Sequence, residues 1–217
     1  MFDKLPKITP LSDDAMHLNS DAPSPRPLRD AAVLIPLVKQ DNQWHILFIR
    51  RASNDLDRHS GQVAFPGGRM EDTDPSHEDT ALRETHEEIG VHPDGVQLLG
   101  KIAPYVTISD YAVTPVVGIL NWPTTLTLQS SEVARAFLMP LSWLQDTNNF
   151  TYRARKEMDP LSARRHPIIV FNEFDGETLW GATARMTLNF LKAVSDEKIV
   201  VPDPTLTFKQ SPNASNV

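Results

Sequence analysis

No cysteine occurs among the 217 residues, so this chain can form neither a disulfide framework nor a thiolate-ligated zinc site. Long apolar runs are missing too. The longest, AAVLIPLV and VTPVVGIL, fall well short of the roughly 20 residues needed to cross a bilayer. The opening MFDKLPKITP lacks the basic start and apolar core of a secretory signal. Basic charge is not in excess: 21 Lys and Arg face 28 Asp and Glu, a formal net charge of −7. That argues against nonspecific nucleic-acid binding, which rests on a basic surface. Together these absences predict a cytoplasmic protein with no membrane and no nucleic-acid partner. A phosphate-bearing small molecule remains compatible, given local arginines or a bound cation.

At 40% hydrophobic, the chain has enough apolar material for one good core. The first thirty residues carry Pro6, Pro10, Pro23, Pro25 and Pro27, so residues 1–29 read as an extended arm. Residues 196–217 are again polar and broken by proline, leaving 30–195 as the folded domain. Either tail could cover a neighbouring subunit, as in a homodimer. Within the domain, AAVLIPLV and WHILFIR read as strands joined by the polar turn KQDNQ. GQVAFPGGRMEDTD is a loop containing a short strand. VQLLGKIAPYVT and YAVTPVVGIL read as a longer hairpin, PLSWLQD as the start of a short helix, HPIIVFNEF as a strand, and GATARMTLNFLKAV as a closing helix. Strands interleaved with helices and hairpins predict an α/β sandwich.

The chemistry concentrates in PSHEDTALRETHEEIG. Pro75 suits a helix's first turn and Gly90 the position just past its end. At 100° per residue, Leu82, Thr85 and Ile89 share an inward face, while Glu84, Glu87 and Glu88 fall on the opposite side. Arg83 sits one turn from Glu87 and can pair with it. Glutamates at this spacing repel one another, and clustered carboxylate oxygens suit a hard cation such as Mg²⁺ beside substrate phosphates. The preceding FPGG lets backbone approach closely and can aim a carbonyl oxygen at the same ion.

GGRMEDTDPSHEDTALRETHEEIGV resembles the Nudix box, written Gx5Ex7REUxEExGU with U aliphatic. Gly68, Arg83, Glu84, Glu87, Glu88, Gly90 and Val91 match it. Asp74 stands where the box has its first glutamate, with one extra residue before Arg83, and Thr85 replaces an aliphatic. HSGQVAFPGG, YAVTPVVGIL, SEVARAFLMPLSWL and LWGATARMTLNFL look like the coenzyme A diphosphatase subgroup. There, Asp57 stands four residues before Gly61 where the subgroup has arginine, with Arg58 beside it.

The resemblance implies a Nudix-type α/β/α sandwich with a mixed β-sheet. It implies Mg²⁺ or Mn²⁺ held by Glu87 and Glu88, joined by Glu84 and a backbone carbonyl at Gly67 or Gly68, with Arg83 steadying the glutamates. Glu84, or Glu132 from SSEVARAF, is the candidate general base. Arg50, Arg51, Arg58, His59 and Gln62 are candidate contacts to a small nucleotide substrate. The implied reaction is cleavage of coenzyme A or an acyl derivative to 3′,5′-ADP and a 4′-phosphopantetheine product. Hydrolysis of ADP-ribose, NADH or a dinucleoside polyphosphate stays open, as does a non-catalytic binding module, although intact box glutamates weigh against the last.

Overall fold

The structure, a computed structural model, describes residues 27–53, 60–107, 109–153 and 167–204. The two N-terminal apolar runs form strands β1 (Arg29–Gln40) and β2 (Gln43–Arg51). They are joined at Asp41 and Asn42, both at positive φ, a left-handed pair that matches the twist of a tight hairpin and that Asp and Asn tolerate. The two strands pair from Leu37↔Ile46 to Gln40↔Gln43 and then part. The glycine loop enters the gap as β3 (Val63–Ala64) and β4 (Gly67–Arg69). β3 pairs with β2, and β4 pairs with β1 at Ala32↔Gly68 and Val33↔Gly67. This wedge sets the glycines into the sheet itself.

Downstream, β5 (Val96–Lys101) and β6 (Tyr105–Val106) run antiparallel to β7 (Tyr111–Leu120). β7 lies parallel to β1 from Arg29↔Tyr111 to Leu37↔Ile119. β8 (Val133–Pro140) closes the far side of β2 in antiparallel register, which completes a mixed sheet of eight strands. A second sheet holds β9 (Phe150–Arg153), β10 (Ile168–Phe174) and β11 (Glu177–Trp180), in the order β11-β10-β9. Among the described residues the α-helices are α1 (His77–Ile89), α2 (Leu141–Gln145) and α3 (Gly181–Ser195).

Side chains alternate across β1 and β2, and both faces are apolar because both are covered. Ala32, Leu34, Val38, Leu47 and Ile49 pack with Ala81 and Ile89 of α1. Ile35, Leu37, Ile46 and Phe48 pack with Ala184, Leu188 and Leu191 of α3 and with Ile169 and Phe171 of the small sheet. The result is the α/β/α sandwich with a mixed sheet that the sequence predicts. Burying Ile89 completely contributes about 2–3 kcal/mol to docking α1.

Two local expectations are corrected. Ser76 caps α1, its Oγ accepting from the Asp79 N–H at 3.1 Å, so Pro75 lies outside the helix rather than in its first turn. The inward face of α1 is Thr80, Ala81, Thr85, Glu88 and Ile89, whereas Leu82 is only half-buried. Glu88 therefore does not stand on the outward side with Glu84 and Glu87.

Candidate active site

α1 ends at Gly90, whose φ of 75° closes the helix in the left-handed conformation that glycine adopts without strain. The last helical carbonyls then need donors, and the connection from β7 to β8 supplies them. Thr127 N–H donates to Ile89 O and Gln129 N–H to Glu88 O, both at 2.9 Å. That connection turns back on itself, Val133 N–H donating to Gln129 O at 2.8 Å. Glu132 O accepts from Ala52 N–H at 2.7 Å. Glu132 is thereby fastened between the C-terminal end of α1 and the end of β2. The charges of Glu84 and Glu88 both respond to it.

Glu88 is 2% exposed. Its Oε2 accepts the Gly67 N–H at 2.9 Å, and its Oε1 lies 3.8 Å from Arg51 Nη1. Burial raises its pKa to about 7, against the Gly67 N–H and Arg51, which favour the charged form, with Glu84 and Glu132 raising it further. The Glu84 side chain is 15% exposed, and burial likewise pushes its pKa up. A Cβ on Gly68 would fall 2.5 Å from the Glu84 Cδ, so the carboxylate rests directly on the β4 backbone because residue 68 has no side chain. Glu87 is the outermost of the three, its side chain 55% exposed.

Arg83 ties the group together. Nε and Nη2 donate to Asp74 Oδ1 and Oδ2 at 3.0 and 2.9 Å. Nη1 reaches Glu84 at 3.0 Å and Glu87 at 3.2 Å, and Nη2 also bonds Arg69 O at 3.1 Å. Its donors are spent on the protein, which fits a residue that positions the glutamates. Asp74, which stands in for the box glutamate, is the forked partner of Arg83 and also accepts from Thr80 Oγ1 at 3.0 Å and Glu71 N–H at 2.9 Å.

Those bonds hold the Asp74 carboxyl well below its ordinary value of 3.8, the hydrogen bond from Arg83 contributing most. A carboxyl whose folded pKa is depressed stabilises the fold above its unfolded pKa and loses that stabilisation as the pH falls toward its folded value. Asp74→Asn keeps the shape but loses the charge. It is expected to lower stability by about 2 kcal/mol at pH 7. The gap from wild type should narrow steadily below about pH 4. Urea unfolding at pH 7 and pH 3 measures it, and an equal gap at both would assign the loss to packing.

The arginine candidates separate. Adjacent strand residues point to opposite faces, so Arg51 turns to Glu88 while Arg50 turns away to Glu177 Oε1 at 3.3 Å. There Arg50 shares a charge cluster with Arg135, whose Nη1 reaches Glu177 at 3.1 Å and whose other arm pairs with Asp175. Arg135 was not singled out from the sequence, although its place on alternating β8 is a usable signal. Gln62 lies beside β2, its carbonyl accepting the Arg51 N–H at 3.0 Å. Arg58 and His59 lie outside the described residues.

Among the described residues, no three His, Asp or Glu side chains close on a single point as a complete ion cage. The donors present nevertheless suit Mg²⁺, which keeps several waters and takes one or two carboxylates together with substrate phosphates. Buried, mutually repelling Glu84 and Glu88 facing a backbone strand form such a set.

Buried carboxylates on a sheet-docked helix, laid against a glycine strand, are a donor set of the kind a metal-dependent phosphohydrolase uses. A family profile described as the NUDIX domain matches residues 27–160, and the chain belongs to the Nudix family. The chain is 36% identical over 177 residues to the uncharacterized Nudix hydrolase NudL of Pectobacterium atrosepticum, covering 80% of this chain and 88% of that one. The protein of the same name from Escherichia coli K12 is 34% identical over 152 residues, covering 70% of each. Among solved structures, a MutT/nudix family protein from Enterococcus faecalis aligns with a TM-score of 0.48 at 16% identity, covering 88% of this chain and 71% of that chain. The protein is thus a Nudix pyrophosphohydrolase acting on nucleoside diphosphate derivatives, in a family that generally depends on divalent metal. Among the described residues no helix is long and apolar enough to cross a membrane.

Proposed function

We propose that this chain hydrolyses the diphosphate of coenzyme A or an acyl-coenzyme A, giving 3′,5′-ADP and a 4′-phosphopantetheine product. The observation that carries the hydrolytic part is the seating of Glu84 and Glu88 against Gly68 and Gly67. The choice of coenzyme A over other diphosphates is supported by the resemblance of the flanking segments, HSGQVAFPGG before the box and YAVTPVVGIL after it.

Glu84, Glu87 and Glu88, with a carbonyl of Gly67 or Gly68, would hold Mg²⁺ or Mn²⁺. Such an ion, when bound, neutralises phosphoryl oxygens and lowers the pKa of a water ligand. Arg83 fixes the carboxylates through Asp74, so they need not reorganise when substrate arrives. Glu132 accepts the proton of the attacking water, and a phosphorus–oxygen bond of the diphosphate breaks as the new one forms. Arg51 offsets the charge of Glu88, and Gln62, beside β2, would contact the substrate.

The test is a substrate panel with Mg²⁺ and Mn²⁺: coenzyme A, ADP-ribose, NADH, diadenosine polyphosphates and nucleoside triphosphates, with products resolved chromatographically. The expected result is the highest kcat/KM for coenzyme A or an acyl derivative, with 3′,5′-ADP as product. A preference for ADP-ribose would overturn the coenzyme A assignment.

A further inference from the structure

Arg185 sits on α3 among Ala184, Met186 and Leu188, and like them it is buried, at 8% exposed. A snorkelling arginine keeps its head in water, whereas little of this residue is exposed at all. Of five N–H donors, one makes a hydrogen bond, from Nη2 to the carbonyl of Pro167 at 3.5 Å, the outer limit of such a contact. Among the described residues no carboxylate answers its charge. The ionisable groups near enough to act on it are the phenols of Tyr152 on β9 and Tyr105 on β6, both neutral when protonated. Burial lowers the pKa of Arg185 and raises that of Tyr152. An uncompensated guanidinium in this position destabilises the fold, and any apolar residue would sit there at lower cost. In a chain of net charge −7, a buried cation without a counter-charge among the described residues requires an explanation.

We propose that Arg185, with Tyr105 and Tyr152 in its neighbourhood, binds a phosphate-type oxyanion on the sheet face opposite the glutamates of α1. A guanidinium presents two parallel N–H donors to an oxyanion, and each phenol adds an O–H donor. Solvent access is from the β9 side, because β9 is the outer strand of the small sheet and Tyr152 is 42% exposed. The site does not depend on the coenzyme A assignment. Only the source of the oxyanion does: a phosphate monoester carried by the substrate, or free phosphate.

The experiment is thermal unfolding in a metal chelator, with inorganic phosphate compared against chloride at equal ionic strength. Phosphate at roughly ten times its Kd is expected to raise the wild-type Tm by about 3–6 °C, and Arg185→Met is expected to abolish the shift. A wild type without the shift, or a variant that keeps it, overturns the site. Should Arg185→Met not fold, Tyr152→Phe on the outer strand decides: its shift should fall by about half or more, and an unchanged shift overturns the site.

Kinetics identify the source. Arg185→Met should raise KM about tenfold for coenzyme A and leave that for 3′-dephospho-coenzyme A unchanged if the oxyanion is the substrate's own. Unchanged values for both assign the site to free phosphate. Absence of turnover on coenzyme A would sink the proposed substrate and leave the phosphate shift standing.

Discussion

Glu88→Gln is expected to lower kcat by about 10³ or more while the Tm stays level or rises. Glutamine preserves the outline of the side chain, and its carbonyl oxygen can still accept the Gly67 N–H now held at 2.9 Å. What disappears is a carboxylate that is 2% exposed and crowded by Glu84 and Glu132. A buried charge of this kind detracts from stability unless something compensates it. Among the described residues its offsets are the Gly67 N–H and an arginine 3.8 Å away, so a polar neutral group at this position is no worse for folding. The chemistry has no such alternative, because an amide oxygen is a far weaker ligand for a hard cation than a carboxylate. Glu87→Gln should lose turnover in the same direction with no gain in Tm, since Glu87 is exposed and its burial costs nothing to relieve. Initial rates at saturating and at limiting metal, alongside thermal melts, check both variants. Near-normal turnover of Glu88→Gln at limiting metal would remove Glu88 from the site.

The same residue marks the boundary of what could be read from the sequence. Apolar runs, the turn residues between them and Gly90 identify most strands and the three α-helices among the described residues, because each element's local signals agree with its tertiary setting. The box residues, read by resemblance, point to the helix and loop that the structure brings together. The orientation of Glu88 is missed because helical arithmetic was anchored on Leu82, an apolar residue. The buried face instead follows Ala81, Thr85, Glu88 and Ile89, and two of these are polar. A contact supplied 41 residues downstream, Gln129 N–H to Glu88 O, leaves no trace in the local pattern.

Arg50 and Arg51 present the converse difficulty. They are neighbours in the chain and read as one cluster, yet a strand sends them to opposite faces, one to Glu177 and one to Glu88. Asp74 carries a third lesson. As a departure from the box it looks like a weakened position, but the shorter side chain still meets both arms of Arg83. Arg185 left a signal that could have been followed, a lone charge within the apolar periodicity of GATARMTLNFL.

The paired glycines of β4 are expected to fail in different ways when each is replaced by alanine. Gly67 has φ of +149°, and a Cβ there would meet Ala32 O at 2.4 Å and Val33 Cα at 2.5 Å. Those atoms belong to the backbone of β1, which is paired on both sides and cannot yield locally. Gly67→Ala should therefore cost about 3 kcal/mol or more, seen as a Tm lower by about 6–12 °C, and any loss of activity would follow from the loss of folded protein. Gly68 carries no such backbone demand. Its added Cβ would meet the Glu84 carboxylate, at 2.5 Å from Cδ and Oε1 and 2.7 Å from Oε2, which is the free end of a side chain. The fold can absorb Gly68→Ala by swinging that carboxylate away, against the hold of Arg83 at 3.0 Å. A displacement of about 1 Å in a positioned catalytic group is enough to lower kcat about 10²-fold, with Tm changed by no more than about 2 °C. Melts and kcat measured on the two variants side by side separate the roles. Normal turnover in Gly68→Ala would mean that the working position of Glu84 is not the one in which β4 holds it.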